Sequence, residues 1–382
     1  MRIAYLDNSS TTPVCQAAAD AARDAMLTHY GNPSSLHSLG VQAEAIVESA
    51  RKAVASRLGV DRKEICFTSG GTEANNLALF GAAQAMRRRG NRIVVSSIEH
   101  PSVARAAEAL ESQGFEVVRL PVGRDGTVDR DALSQAVTKD TILVSLMLVN
   151  NETGAIQPVA TAAECIRRSG SPALLHCDAV QAFGKLPFRA ADLGADLITV
   201  SGHKVHAPKG IGALYLRRGA RILPQMLGGG QENGLRSGTE SVPLIAAFGA
   251  TVEQWGDLAS HLSRIRQLRD GCMERLRSDE TLGSKAVIHS TDDSLPYLLN
   301  FSLPGIRSET MLHFLEQRGV YVSAGSACSK GKQSAVLTAQ GLSGREIDSA
   351  LRVSFSRFST PEDVDQLLHA LREGFTSLAK IR

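Results

Sequence analysis

Lys204 lies in the stretch Ser201-Gly-His-Lys-Val-His-Ala-Pro-Lys-Gly-Ile-Gly212, directly after the apolar run Asp196 to Val200. That run reads as a short buried strand. Gly202, Pro208, Gly210 and Gly212 then force a loop, because they permit or fix backbone angles that a strand or helix does not use. Lys204 therefore falls at the carboxyl end of a strand, where open α/β sheets place their ligands. A lone loop lysine is ordinarily just solvated. Ser201 and His203 beside it shift the reading, since both can donate hydrogen bonds to an anion. A lysine amine kept neutral by partial desolvation or a nearby cation is a nucleophile. The spacing thus points to a Schiff-base lysine beside a phosphate cup.

Other strand ends carry matching residues. Phe67-Thr-Ser-Gly-Gly-Thr-Glu73 turns from a strand into a helix, exposing backbone amides, a positive helix end and the Thr72 hydroxyl to an anion. A plain tight turn capped by Thr72 fits the same residues. Glu99-His-Pro-Ser102 opens a helix; His100 can cap it, or stack on a planar group and exchange protons near neutral pH. Asn150 and Asn151 close the most apolar strand, where they can form a turn or donate to a carboxylate. Asp178, in His176-Cys-Asp-Ala-Val-Gln181, is a carboxylate at a buried strand end, costly without a cation. A protonated pyridine nitrogen supplies one, with Gln181 near the ring oxygen, and such a carboxylate keeps the ring an electron sink. An N-cap aspartate is the competing reading. Together with Lys204 these residues suit pyridoxal phosphate (PLP). Arg352, inside the apolar run Leu351 to Phe355, is either a surface residue or a bidentate carboxylate clamp. Cys328 sits among small residues, Ser323 to Gly331, with Lys330 and Lys332 nearby to favour its thiolate.

Apolar runs at Ile65 to Thr68, Arg92 to Ser96, Phe115 to Leu120, Ile142 to Val149, Ala173 to Cys177, Leu197 to Val200 and Ala213 to Leu216 read as seven strands. Helical patterns at Thr72 to Arg88, Ser102 to Gln113 and Val159 to Ser169 lie between them. This alternation predicts an α/β fold with a mostly parallel sheet flanked by helices. An earlier helix has Ser38 as its expected N-cap and ends near Leu58. Ser241 to Ser278 reads as one long helix, unbroken or with a break. Beyond it, short strands alternating with helices predict a smaller α+β domain. The expected division is 15–257 for the large domain, with 1–14 and 258–382 forming the small one.

A chain of 382 residues accommodates two such domains. A net charge of +3 is too mild to argue for nucleic acid, and Arg87-Arg-Arg89 reads as a helix C-terminus. No signal-peptide core or membrane-length apolar run is present, so the chain reads as cytoplasmic, without a membrane partner. The six cysteines show no metal-ligand spacing, and no metal site is expected.

In order along nearly the whole chain, these stretches resemble the cysteine desulfurases, fold-type I PLP enzymes related to class V aminotransferases. The resemblance is carried by Tyr5 to Thr12, Gly31 to Ser35, Gly71-Thr-Glu-Ala-Asn-Asn76, Glu99 to Ser102, Asn150-Asn-Glu-Thr-Gly154, Asp178 to Gln181, Ser201-Gly-His-Lys204, Leu235 to Glu240, Ala324 to Cys328 and Leu351 to Arg357. It implies that Lys204 forms the Schiff base, Asp178 pairs with the pyridine nitrogen, Gln181 with the ring hydroxyl, and His100 stacks on the ring. Thr72, Ser201, His203 and the Gly71 amide would bind the phosphate. Thr239 would reach the phosphate of a neighbouring subunit, implying a homodimer. Asn151 and Arg352 would hold the substrate carboxylate, Lys204 or His100 would move the Cα proton, and Cys328, on a mobile loop, would be the nucleophile. Ala207, Asn233 and Ser356 depart from the family pattern.

The implied activity converts L-cysteine to L-alanine and leaves a Cys328 persulfide for a protein acceptor in iron–sulfur cluster assembly or thiolation. A selenocysteine lyase is the alternative within PLP enzymes. A non-catalytic docking protein is the alternative from another class, and retention of Lys204, Asp178, His100, Cys328 and Arg352 together argues against it.

Overall fold

The computed structural model describes residues 2–324 and 333–379. A short strand β1 (Ala4–Tyr5) precedes seven that form the main sheet. These are β2 (Ile65–Thr68), β3 (Arg92–Ser96), β4 (Glu116–Leu120), β5 (Thr141–Met147), β6 (Leu174–Asp178), β7 (Leu197–Ser201) and β8 (Gly212–Leu216). Their order is β2-β8-β7-β6-β5-β3-β4. All neighbours pair in parallel except β8, which runs antiparallel to β2 and to β7. The seven expected runs thus make the seven strands. β5, β6 and β7 are buried at every residue, as strands covered on both faces must be. β4 lies at the edge and turns Glu116 and Arg119 outward, which blunts pairing with another chain.

Helices cover the sheet, and several boundaries refine the sequence reading. The helix Ser38–Leu58 is capped not by Ser38 but by His37, whose Nδ1 accepts from the Gly40 amide at 3.3 Å. The chain is still extended at His37, so the turn starts one residue earlier than a hydroxyl cap would place it. The long pattern after Ser241 is two helices, Val242–Glu253 and Leu258–Ser278. Gly256 (φ 60°) breaks it, and Asp257 caps the second helix. Arg87, Arg88 and Arg89 follow a helix that ends at Met86, rather than filling its last turn.

The smaller unit pairs β9 (Val287–Ile288), β10 (Leu298–Ser302) and β12 (Ala350–Ser354) antiparallel, in the order β12-β10-β9. β11 (Val320–Tyr321) runs parallel to β1, so the N-terminus returns to this unit. Single bridges from Asp7 to Ser354 and from Ser323 to Arg352 tie these pieces together. One apolar core runs through both units, from Val144 and Ile198 to Phe301 and Val353. Phe183 and Trp255 pack edge to face within it, with ring centroids 4.8 Å apart.

The carboxyl ends of β2, β3, β5, β6 and β7 lie along one edge of the main sheet. At that edge Gly212 opposes both Thr68 and Ser201. A Cβ on Gly212 would come within 2.8 Å of the Gly70 backbone, so only glycine lets these strand ends close up. Among the described residues, no helix is long and apolar enough to cross a membrane.

Candidate active site

The converging strand ends enclose a cavity of about 290 Å³. Lys204 enters it from the single 3₁₀ turn Gly202–Lys204 that continues β7. Its Nζ donates to the carbonyls of Ser9 and Ser10, each at 2.7 Å. The loop after β1 therefore supplies what aims the lysine, through backbone groups that carry no side-chain signature.

At one end of the cavity the helix Gly71–Met86 begins. Its first amides and positive end face the space, with Thr72 on its rim. A Cβ on Gly71 would lie 2.9 Å from Val180 Cγ2. Ser201 Oγ, at the end of β7, is buried and has no hydrogen-bond partner among the described residues. His203 Nδ1 lies 3.3 Å from Thr11 Oγ1. Burial, aided by the positive charges of Lys204, Lys209 and Lys185, pushes its imidazole down to about 4, so the ring is neutral at neutral pH.

Asp178 ends β6 at the base of the cavity. Asn75 donates to its Oδ2 at 2.8 Å and the Val180 amide to its Oδ1 at 3.0 Å. The carboxylate accepts from the following turn, where the competing reading expected a helix, and it also lines the cavity. His100 behaves similarly. It caps the helix Pro101–Ser112, with Nδ1 accepting from the Ser102 amide at 3.2 Å, and it lines the cavity. Gln181 also lines it, its Nε2 donating to the Ser9 carbonyl and its Oε1 accepting from Lys185, both at 3.0 Å. Lys185 is fully buried, and burial together with the charges of Lys204 and Arg352 pushes its amine down to about 7.

On the smaller unit's side stands Arg352 on β12, with 2% of its side chain exposed. Nη1 donates to the Asn151 carbonyl at 3.0 Å; Nη2 donates to Asp7 Oδ1 at 3.0 Å and to Ser10 Oγ at 2.6 Å. Nε is buried with no partner among the described residues. Arg352 is therefore not a surface residue. The paired asparagines divide their work: Asn150 Oδ1 accepts from the Glu152 and Thr153 amides and builds the turn, while Asn151 lines the cavity.

One cavity gathers Gly71, Thr72, His100, Asn151, Asp178, Gln181, Ser201, His203, Lys204 and Arg352. Thr239 is exposed, on the loop before Val242, outside this cavity. Cys328 lies outside the described residues. Sequence reasoning gave no role to Ser9, Ser10, Asn75, Ser102 or Lys185. For Asn75 a signal existed: a polar residue one turn into an otherwise apolar helix face.

A sheet of this order with a lysine, a carboxylate and a helix end at one edge defines a class. The family model for aminotransferase class-V matches residues 4–367. The chain is 40% identical over 373 residues to a protein of Archaeoglobus fulgidus named cysteine desulfurase IscS 1, covering 96% of this chain and 95% of that one. A solved structure named NIFS-like protein superposes with a TM-score of 0.92 at 36% identity, covering 99% of this chain and 100% of that one. A second, named SspA in complex with cysteine, gives 0.82 at 31% identity over 93% and 99%. The chain belongs to the class-V aminotransferases and, within them, to the cysteine desulfurase family.

Proposed function

We infer that this protein is a PLP-dependent cysteine desulfurase that takes sulfur from L-cysteine and releases L-alanine. The observation that carries the reading is the meeting of Lys204, Asp178, His100 and Arg352 in one cavity of a chain 40% identical to a named cysteine desulfurase. The residues present fit PLP. Among the described residues the buried Ser201 hydroxyl has no partner, no side chain caps the helix that begins at Gly71, and the donors to Asp178 are neutral, ready for a cationic ring nitrogen.

Gly71, Thr72, Ser201 and His203 would hold the phosphate, Asp178 the ring nitrogen and Gln181 the ring hydroxyl. His100 would lie against the ring and Lys204 would carry the covalent link. When bound, the cofactor supplies an electron-withdrawing ring. Arg352 and Asn151 orient the substrate carboxylate, placing Cα near Lys204 Nζ. The Cys328 thiolate then attacks the substrate sulfur. An S–S bond forms, the C–S bond breaks, and its electron pair stays with carbon, which takes up a proton on the way to alanine. A protein acceptor would collect the persulfide sulfur. Thr239 would serve the site of a second copy in a homodimer. Residues 15–257 would form the large domain, with 1–14 and 258–382 the small one.

Incubation with PLP is expected to give a visible absorption band that Lys204→Ala lacks. Cys328→Ala is expected to keep the band and release no alanine from L-cysteine. Normal sulfur release by Cys328→Ala would remove Cys328 as nucleophile, and protein that stays colourless would end the PLP reading. Turnover of L-selenocysteine but not L-cysteine would select the lyase.

A further inference from the structure

The hydrogen bonds around His100 fix which of its nitrogens carries the proton. An amide N–H only donates, so the Ser102 amide, 3.2 Å from His100 Nδ1, requires a lone pair on that nitrogen. Ser102 Oγ is also 2.8 Å from Nδ1. Its direction follows from Asn75, whose Nδ2 faces both Asp178 Oδ2 and Ser102 Oγ, each at 2.8 Å. A carboxylate can only accept, so the Asn75 amide cannot be turned around. Ser102 Oγ therefore receives a hydrogen from Asn75 and has its own left to give to Nδ1. Asn75 and Ser102 are both buried, so these contacts do not compete with bulk water.

We propose that Asn75 and Ser102 are positioning residues that hold His100 as a neutral imidazole with its proton on Nε2, so that it meets the cavity as a hydrogen-bond donor and leaves proton abstraction to Lys204. This rests on the desulfurase reading for its consequence, though not for its geometry. Nδ1 is occupied by the helix cap, which leaves only Nε2 to serve the cavity, and in this tautomer Nε2 has no lone pair to take a proton. Protonating Nδ1 would set an N–H against two donors at the positive end of the helix Pro101–Ser112. The charged groups around the ring give the same balance. Burial pushes the imidazole below its ordinary value; Asp178 opposes that and Lys204 reinforces it. His203 is held neutral by burial. The neighbouring Glu99 is pushed up to about 8 by burial, its Oε1 held by Ser96 Oγ and the Met147 amide.

Nitrogen-15 NMR of histidine-labelled protein, with His100 assigned by its loss in His100→Gln, reads the tautomer directly. The expected result is an Nε2–H, bare-Nδ1 signature near neutral pH, with and without PLP. In Ser102→Ala, Nδ1 loses one donor to its neutral form, so the His100 titration midpoint is expected to move up by roughly half a pH unit to one unit. Ser102→Thr keeps a hydroxyl and is expected to stay near the wild-type midpoint. An Nδ1–H signature or an imidazolium at pH 7 in the wild type would overturn the proposal, as would an unmoved midpoint in Ser102→Ala. The wild-type spectrum decides the tautomer even if a variant fails to fold. PLP uptake and alanine release on the same samples report separately on the desulfurase reading.

Discussion

The two ends of the cavity are built for anions by opposite means. At one end Arg352 offers a full positive charge, already aimed by Asp7, Ser10 and the Asn151 carbonyl. At the other, Gly71, Thr72, Ser201 and a neutral His203 offer dipoles, and one buried hydroxyl has no partner among the described residues. The arginine end is balanced in charge without ligand, because Asp7 offsets a charge that could not be buried alone, although its Nε also has no partner among the described residues. The helix end has no such ion pair, and its buried Ser201 hydroxyl is unsatisfied among the described residues. A substrate that comes and goes suits a site stable when empty. A cofactor that stays suits a site that binding completes.

Removing the charge at the balanced end gives the largest expected effect. Arg352→Ala would leave the Asp7 carboxylate beside a void, lowering thermal stability and raising the KM for L-cysteine on the order of 100-fold. The visible band with PLP is expected to persist, since Arg352 stands on β12 of the smaller unit and Ser201 on β7 of the main sheet. Arg352→Lys is expected to rescue little, because one ammonium cannot replace a fork already shared among three acceptors. Steady-state alanine release and a thermal melt check both statements. An unchanged KM would place the substrate carboxylate elsewhere and dissolve the contrast between the ends.

At the helix end the sign for stability reverses. Ser201→Ala removes a buried hydroxyl that bonds to nothing among the described residues, so the cofactor-free protein is expected to gain up to about 1 kcal/mol. If Ser201 binds the phosphate as proposed, the same change removes a donor, and the PLP dissociation constant is expected to rise roughly 5- to 10-fold. Urea unfolding without PLP and a spectroscopic PLP titration measure the two effects. If Ser201→Ala destabilised the empty protein, the hydroxyl would have a partner.

The seven strands were legible because each is a short apolar run closed by glycine or polar residues, and a strand end fixes the position of whatever follows it. For that reason Lys204, Asp178, His100 and Asn151 could be placed at one edge. What joins them was not legible. Lys204 is aimed by two backbone carbonyls about 195 residues earlier in the chain, which no residue type announces. Asn75 reads as an unfavourable helix residue until Asp178 and Ser102 arrive from other strand ends. Nothing in the sequence marks Lys185, yet packing carries it into the core against Gln181. Ser38 lost the helix cap to His37 because backbone conformation decided it. Local pattern showed where chemistry could stand, and long-range packing decided how each group is held.

The smallest expected effect separates the ends by pH. His203 titrates near 4 in the fold against an ordinary 6.5, so the unfolded chain takes up its proton first. Stability from this group is therefore complete above about 6.5 and lost as pH falls toward 4. His176, His206 and His289 are also pushed down to about 4 by burial and add the same slope. The urea midpoint of the cofactor-free protein is expected to fall across that window. His203→Asn would flatten the fall by about one proton's worth, since the other buried histidines remain. An anion beside His203 favours its charged form, so inorganic phosphate is expected to lessen the acid loss more in the wild type than in His203→Asn, where Ser201, Thr72 and the Gly71 amide remain to bind it. Equal protection of both proteins by phosphate would mean that His203 does not face the anion, and the helix end would then rely on Ser201, Thr72 and the Gly71 amide alone.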